Sequence, residues 1–161
     1  MDLTKKLSEN FVLGELLITE HLDFLDENQN PPLIVVTNLQ LLVDNILQPI
    51  RTKLGYSLHV NSGYRCLALN KAVGGAANSQ HIIGQAADLV DNTNGNLYLF
   101  EAIKNSGLPF DLLITECPDA NCVPAWVHVS YDATRSRKMI LKAKITGHNT
   151  NGSPIFEYEN Y

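Results

Sequence analysis

Ser79-Gln80-His81-Ile82-Ile83-Gly84-Gln85-Ala86-Ala87-Asp88 is the stretch around which the rest of the chain is organised. A histidine and an aspartate stand seven residues apart, with Gly84 and two alanines between them. Imidazole nitrogen and carboxylate oxygen both ligate first-row metals. Gly84 and the alanines are small, so the backbone is free to fold back and bring both side chains to one point. Residues 85–90 read as a short strand of small residues. Alone, a His-x6-Asp pair is weak, because a chain of this length holds such pairs by chance.

Working outward, Trp126-Val127-His128-Val129-Ser130-Tyr131 alternates as a strand. Period two puts Trp126, His128 and Ser130 on one face. A histidine among apolar neighbours reads either as a satisfied core residue or as a third ligand. Three ligands with an open fourth position is the pattern of catalytic zinc, whereas structural zinc is closed by four ligands, often cysteines. Cys66, Cys117 and Cys122 are not spaced for a closed site. Cys117 and Cys122 are near enough in sequence to pair, but reduced thiols suit a chain without a visible export signal. Residues 111–116 alternate too, with Leu112, Ile114 and Glu116 sharing a face. Glu116 at the strand end either meets solvent or reaches into a site as a base. Arg65 follows Ser62-Gly63-Tyr64, a turn leaving a strand over 56–61. Its planar fork matches a carboxylate; the plain alternative is a surface arginine paired with one of many acids.

The remaining pattern is helical or mixed. Residues 1–36 form a lead-in closed by Pro31-Pro32. Thr37 reads as an N-cap. Leu39, Leu42, Val43, Ile46, Ile50 and Leu54 form a helical stripe. Pro49 predicts a kink or early stop, and Gly55 an end. Short helices are expected over 67–73 and 97–106, and a terminal hairpin within 138–161. Helices with several short strands, not strictly alternating, predict an α+β domain: a small antiparallel sheet carrying the site, packed against helices. The 161 residues suit one domain. Hydrophobic residues at 45% argue against disorder. A net charge of −5 argues against a general nucleic-acid binder. No stretch reads as a run of the ~20 apolar residues of a membrane span, and no signal core follows Met1, so the chain is expected to be soluble and cytoplasmic as synthesised. Residues 1–50 carry −6 and the rest +1. Arg135, Arg137, Lys138, Lys142 and Lys144 lie in 133–146 without an acid. That stretch is either a solvated edge or a contact surface for an anionic polymer.

Ser62-Gly63-Tyr64-Arg65, then Ser79-x-His81-x-x-Gly84-x-Ala86-x-Asp88, then Trp126-Val127-His128 resemble the zinc D-alanyl-D-alanine carboxypeptidases. That family includes vancomycin-resistance dipeptidases and phage endolysin peptidases, and it shares its fold with the Hedgehog signalling domain. The resemblance runs from about Phe11 to Tyr131. It is nearest to the short phage and prophage form, in which Phe110-Asp111-Leu112-Leu113-Ile114-x-Glu116 precedes the last histidine strand.

The resemblance implies one zinc ion held by His81, Asp88 and His128. It implies that Arg65 binds or polarises the peptide and that Ser79 supports the site. Trp126, a large aromatic, is expected to wall the site, and Tyr131 to be a packing residue. The implied activity is hydrolysis of peptidoglycan stem or cross-link peptides containing D-amino acids, as a carboxypeptidase or endopeptidase, by a monomer. Many relatives place the catalytic acid three residues before the last histidine ligand. Here that position is Ala125, which accepts no proton. Glu116 is then the expected base, with Asp119 the runner-up. If neither serves, the chain is a zinc-containing wall-binding or structural module. An endolysin-type role implies holin-type release, or carriage on a phage particle, to reach the wall. His21, His59 and His148 show no partner pattern, and His59 is expected to face outward or be half-buried.

Overall fold

The computed structural model describes residues 1–117, 123–148, 150, 152 and 154–161. After a short helix α1 (Leu25–Asn28), the main helical stretch is held by one apolar stripe. Leu39, Leu42, Val43, Ile46, Leu47 and Ile50 recur at steps of three and one, and all are fully buried. Burying each contributes roughly 1.5–3 kcal/mol. Helix α2 (Leu33–Leu42) passes into a π-helical turn (Val43–Leu47) and then into α3 (Gln48–Leu54).

Three local expectations are corrected here. Thr37 is not the N-cap: the helix begins at Leu33 behind Pro32, and Thr37 Oγ1 donates to Leu33 O at 3.2 Å. A proline suits a helix start, where no N–H is required and its φ is already set. Pro49 does not stop the helix. It sits in the first turn of α3, where the π-helical turn before it has already shifted the hydrogen-bond register. Finally, Leu33–Leu54 is 22 residues long and, by length and composition, apolar enough to cross a membrane. Its buried stripe makes it the core helix of this fold. Gly55 ends it with φ 77°.

The strands are β1 (His59–Ser62), β2 (Ala86–Val90), β3 (Leu112–Cys117), β4 (Trp126–Ser130), β5 (Met139–His148) and β6 (Pro154–Asn160). They form one sheet in the order β1-β2-β4-β3-β5-β6. Every pairing is antiparallel except β3 with β5. The exception has a simple origin. The chain leaves β4 at Ser130, already beside Leu112, so β5 starts where β3 starts and runs with it. The architecture is α+β, with the sheet packed against helices.

Alternation gives the sheet two distinct faces. Ala87, Leu89, Leu113, Val127 and Val129 belong to the hydrophobic core, beside Leu99, Phe100 and Ile103 of α5 (Asn96–Lys104). The opposite face carries Asp88, His128, Ile114 and Glu116. His59 is exposed, and Tyr131 packs against the core.

The lead-in is built into this core. Phe11, Leu13, Leu16 and Leu17 are buried. Asn28, fully buried, donates to Leu17 O (2.9 Å) and Tyr64 O (3.2 Å) and accepts from Cys66 N (2.8 Å). Cys66 is a buried free thiol at the start of α4 (Leu67–Ala72). These bonds clamp the turn that carries Arg65.

Gly84 is a point where this packing tolerates no side chain. Its φ is +73°, and a Cβ there would lie 2.7 Å from Val35 O and 2.9 Å from Val35 Cγ1. Left-handed backbone strain and overpacking both act, so Gly84→Ala is expected to cost about 2–5 kcal/mol in urea unfolding. A loss below about 0.5 kcal/mol would contradict this packing.

Candidate metal centre

Strand register brings the donor atoms together. Asp88 on β2 lies opposite His128 on β4, and His128 lies opposite Ile114 on β3. His81 comes from the 3-10 turn Gln80–Ile83 just before β2. Ser79 caps that turn, its Oγ accepting from His81 N at 3.3 Å. His128 Nδ1 lies 3.0 Å from Asp88 Oδ1, His81 Nε2 lies 3.3 Å from the same oxygen, and the two ring nitrogens are 3.2 Å apart. A tetrahedral ion with bonds of about 2.0–2.1 Å has ligand-to-ligand edges of about 3.3 Å. The three buried side chains therefore have the spacing of three corners of a metal site.

Neighbouring groups orient these donors. His81 Nδ1 lies 2.5 Å from Gly63 O. A carbonyl only accepts, so Nδ1 carries the proton and Nε2 keeps a lone pair towards the centre. Gly63 is approached so closely that a Cβ would collide with Leu16 O, and Tyr64 N donates to that same carbonyl at 2.8 Å. Arg65 Nη2 bonds Asp88 Oδ2, leaving Oδ1 for the centre, while its Nε donates to Ser62 Oγ at 2.8 Å. Arg65 N donates to His81 O at 3.2 Å. Burial pushes His81 below its ordinary pKa, keeping the ring neutral. Burial alone would raise Asp88, but electrostatic attraction and hydrogen bonds from His81 and His128 outweigh it and hold the carboxyl well below the usual range.

Glu116 stands one row along the same face, opposite Trp126. Ala125 N donates to Glu116 O at 2.9 Å, so Glu116 lies beside the position that Ala125 leaves without an acid. Burial and the Asp88 charge push Glu116 up to about 7, against the pull of His128, Arg65 and a hydrogen bond from Trp126. Trp126 is thus a partner of the acid as well as a wall. All seven expected site residues, His81, Asp88, His128, Glu116, Arg65, Ser79 and Trp126, line one open cavity of about 780 Å³. That is a common size for a ligand pocket. Asp119 and Cys122, and with Cys122 the possible pairing to Cys117, lie outside the described residues.

The match with known proteins falls on this core. The peptidase M15 family model covers residues 11–130. This chain belongs to the peptidase M15 family. The zinc D-Ala-D-Ala carboxypeptidase of Streptomyces albus G is 42% identical over 62 residues, which are 38% of this M15 chain and 24% of that protein. The chain thus aligns with about a quarter of that relative's length.

The sequence reading missed three parts of the site. The Gly63 carbonyl and Asn28 act through contacts distant in sequence, so no local signal marks them. Asp111 was legible only as a strand start, yet it is fully buried and anchors part of the basic stretch. Arg137 Nη2 (2.6 Å) and Arg135 Nη2 (3.2 Å) both reach it. Lys138 Nζ donates to Leu108 O at 2.6 Å, and Lys144 pairs with Glu159 at 2.7 Å. Within 133–146, Arg135, Arg137, Lys138 and Lys144 thus have bonded partners within the fold.

The raised Glu116 fixes the sign of a pH effect. The preference for the protonated form is fully present below the unfolded pKa, near 4.5, and is lost as pH rises towards about 7. In metal-free protein, wild type should lose on the order of 1–3 kcal/mol relative to Glu116→Gln across that window, then run parallel above it. Urea unfolding of both proteins from pH 4.5 to 8 reads this difference, and curves parallel throughout would refute the upward shift of Glu116.

Proposed function

We propose that this chain is a zinc peptidase acting on cell-wall peptides that contain D-amino acids. One observation carries the reading: three donor atoms 3.0–3.3 Å apart stand in an open cleft beside a carboxyl poised near neutral pH. Two imidazoles and one carboxylate suit zinc, and three protein ligands with a fourth position free is the catalytic arrangement. When bound there, zinc supplies a Lewis acid and an activated water at neutral pH. Membership of a peptidase family and the named activity of the Streptomyces relative support the substrate class.

The chain's own residues have separable roles. Glu116 takes a proton from the attacking water and passes it to the leaving amine, for which a pKa near 7 is well matched. Trp126 holds that carboxylate by its hydrogen bond. Arg65 keeps Asp88 charged and, with its side chain 18% exposed, presents the rest of its fork to a substrate carbonyl or carboxylate. Ser79 and Gly63 hold His81 in place. The cleft extends from Ile18–His21 and Asn61 on one flank to Met139, Leu141 and Tyr158 on the other. Room on both sides of the ligand row favours an internal bond over removal of a terminal residue.

The second reading, a wall-binding module without a base, rested on Ala125. Glu116, one cross-strand step away, supplies the missing carboxylate and favours the enzyme. Incubation with purified peptidoglycan tests this directly. New amino termini should appear, vanish with a chelator and return with zinc. Glu116→Gln should keep the metal and lose about 100-fold or more in rate. Undiminished cleavage by that variant would remove Glu116 from the role, and no cleavage of any wall type by wild type would sink the peptidase reading.

A further inference from the structure

We propose that Arg135 and Arg137 form a carboxylate-binding subsite of the cleft, about three extended residues from the bond that is cut. The inference rests on the cleft being a peptide site. Asp111 is fully buried and receives Arg137 Nε at 2.8 Å, Arg137 Nη2 at 2.6 Å, Arg135 Nη2 at 3.2 Å and Gln80 Nε2 at 3.2 Å. One carboxylate thus backs two guanidiniums. Asp132 adds only a longer contact, 3.5 Å from Arg135 Nε. The arginine side chains remain 48% and 37% exposed.

The acids in the described cleft lining are Glu20, Asp88 and Glu116, none of which is a partner of Arg135 or Arg137 in the contacts above. The same described lining includes Arg135, Arg137 and Gln80, and neither Asp111 nor Asp132. Two guanidiniums held side by side repel unless anions lie between them. Asp111 supplies the anion behind, and a ligand carboxylate would supply one in front, where the forks give charge-assisted bonds. The Nη1 of each guanidinium takes no part in the contacts above.

Strand geometry sets the spacing. Asp111 lies three residues before Ile114, the partner of His128. At about 3.3 Å per residue that is roughly 10 Å along the sheet, the reach of three residues of extended peptide. Leu112, Met139, Ile114 and Leu141 lie in between as register partners on the cleft face. The ligand that fits is an extended peptide with an apolar middle and a carboxylate beyond it. The carboxylate comes from an acidic side chain or from a free C-terminus. Arg135, Arg137 and Met139 all lie outside the 11–130 family match.

Arg135→Gln is the informative change, because Arg137 keeps its two-bond fork on Asp111 and the fold is retained. Three labelled peptides serve as probes: a neutral C-terminal amide, the same peptide with one side-chain carboxamide made a carboxylate, and the same peptide with a free C-terminal carboxylate. Binding is read by anisotropy in a Glu116→Gln background, so that turnover does not consume the probe. At least one acidic peptide should bind on the order of 10-fold or more tighter than the neutral one, and which one identifies the source of the carboxylate. Arg135→Gln should bring that ratio within about twofold while leaving the neutral peptide's affinity unchanged. No preference for either acid, or a preference that survives Arg135→Gln, would overturn the subsite and leave the pair a clamp on Asp111. Peptidoglycan cleavage by the unaltered protein is scored separately, so a failed peptidase reading does not mask the binding result.

Discussion

The structure turns on Asp88, a carboxylate removed from water at the centre of a sheet. An unpaired charge there would cost several kcal/mol. It is ionised because Arg65 takes one oxygen while His81 and His128 gather around the other. The two oxygens are divided: the guanidinium occupies Oδ2, and Oδ1 is left where two imidazole nitrogens converge. Arg65 is fixed in turn by the turn after β1, which Asn28 and Leu16 clamp to the lead-in. Residues 1–36 therefore support the His81–Asp88–His128 cluster through the turn that carries Arg65.

The same sheet face places the donor row and the Glu116 row side by side. Asp88, His128, Ile114 and Leu141 occupy one row across β2, β4, β3 and β5. Trp126, Glu116, Ala143 and Tyr158 occupy the next row. Small, buried Ala143 between Glu116 and Tyr158 leaves the acid open to the cleft. Burial and the charges of Glu116 and Asp88 push the Tyr158 hydroxyl upward in pKa, a sign of how near the terminal hairpin comes to the centre. The family match ends at residue 130, so this hairpin wall lies outside the part of the chain shared with the family.

The sequence made the face legible and left its supports hidden. Alternation put His128 on one face with Trp126 and Ser130, and Glu116 on one face with Leu112 and Ile114, because strand period is a local property. The His81–Asp88 pair, weak by spacing alone, was legible only through the family resemblance. Long-range partners were not: the Gly63 carbonyl, Asn28 and Asp111 acquire their roles only when distant segments meet. The parallel β3–β5 pair was hidden too, since it depends on where the chain leaves β4. Thr37 misled because a good capping residue lay inside a helix that Pro32 had already started. Pro49 misled because a π-helical turn absorbed its missing N–H.

X-ray absorption at the zinc edge of the metal-reconstituted protein tests the central claim most directly. The account predicts one zinc per chain, bound by nitrogen and oxygen at about 2.0–2.1 Å, with outer-shell scattering from two imidazoles and no sulfur near about 2.3 Å. Sulfur in the inner shell, or a protein that takes up no stoichiometric zinc, would contradict it.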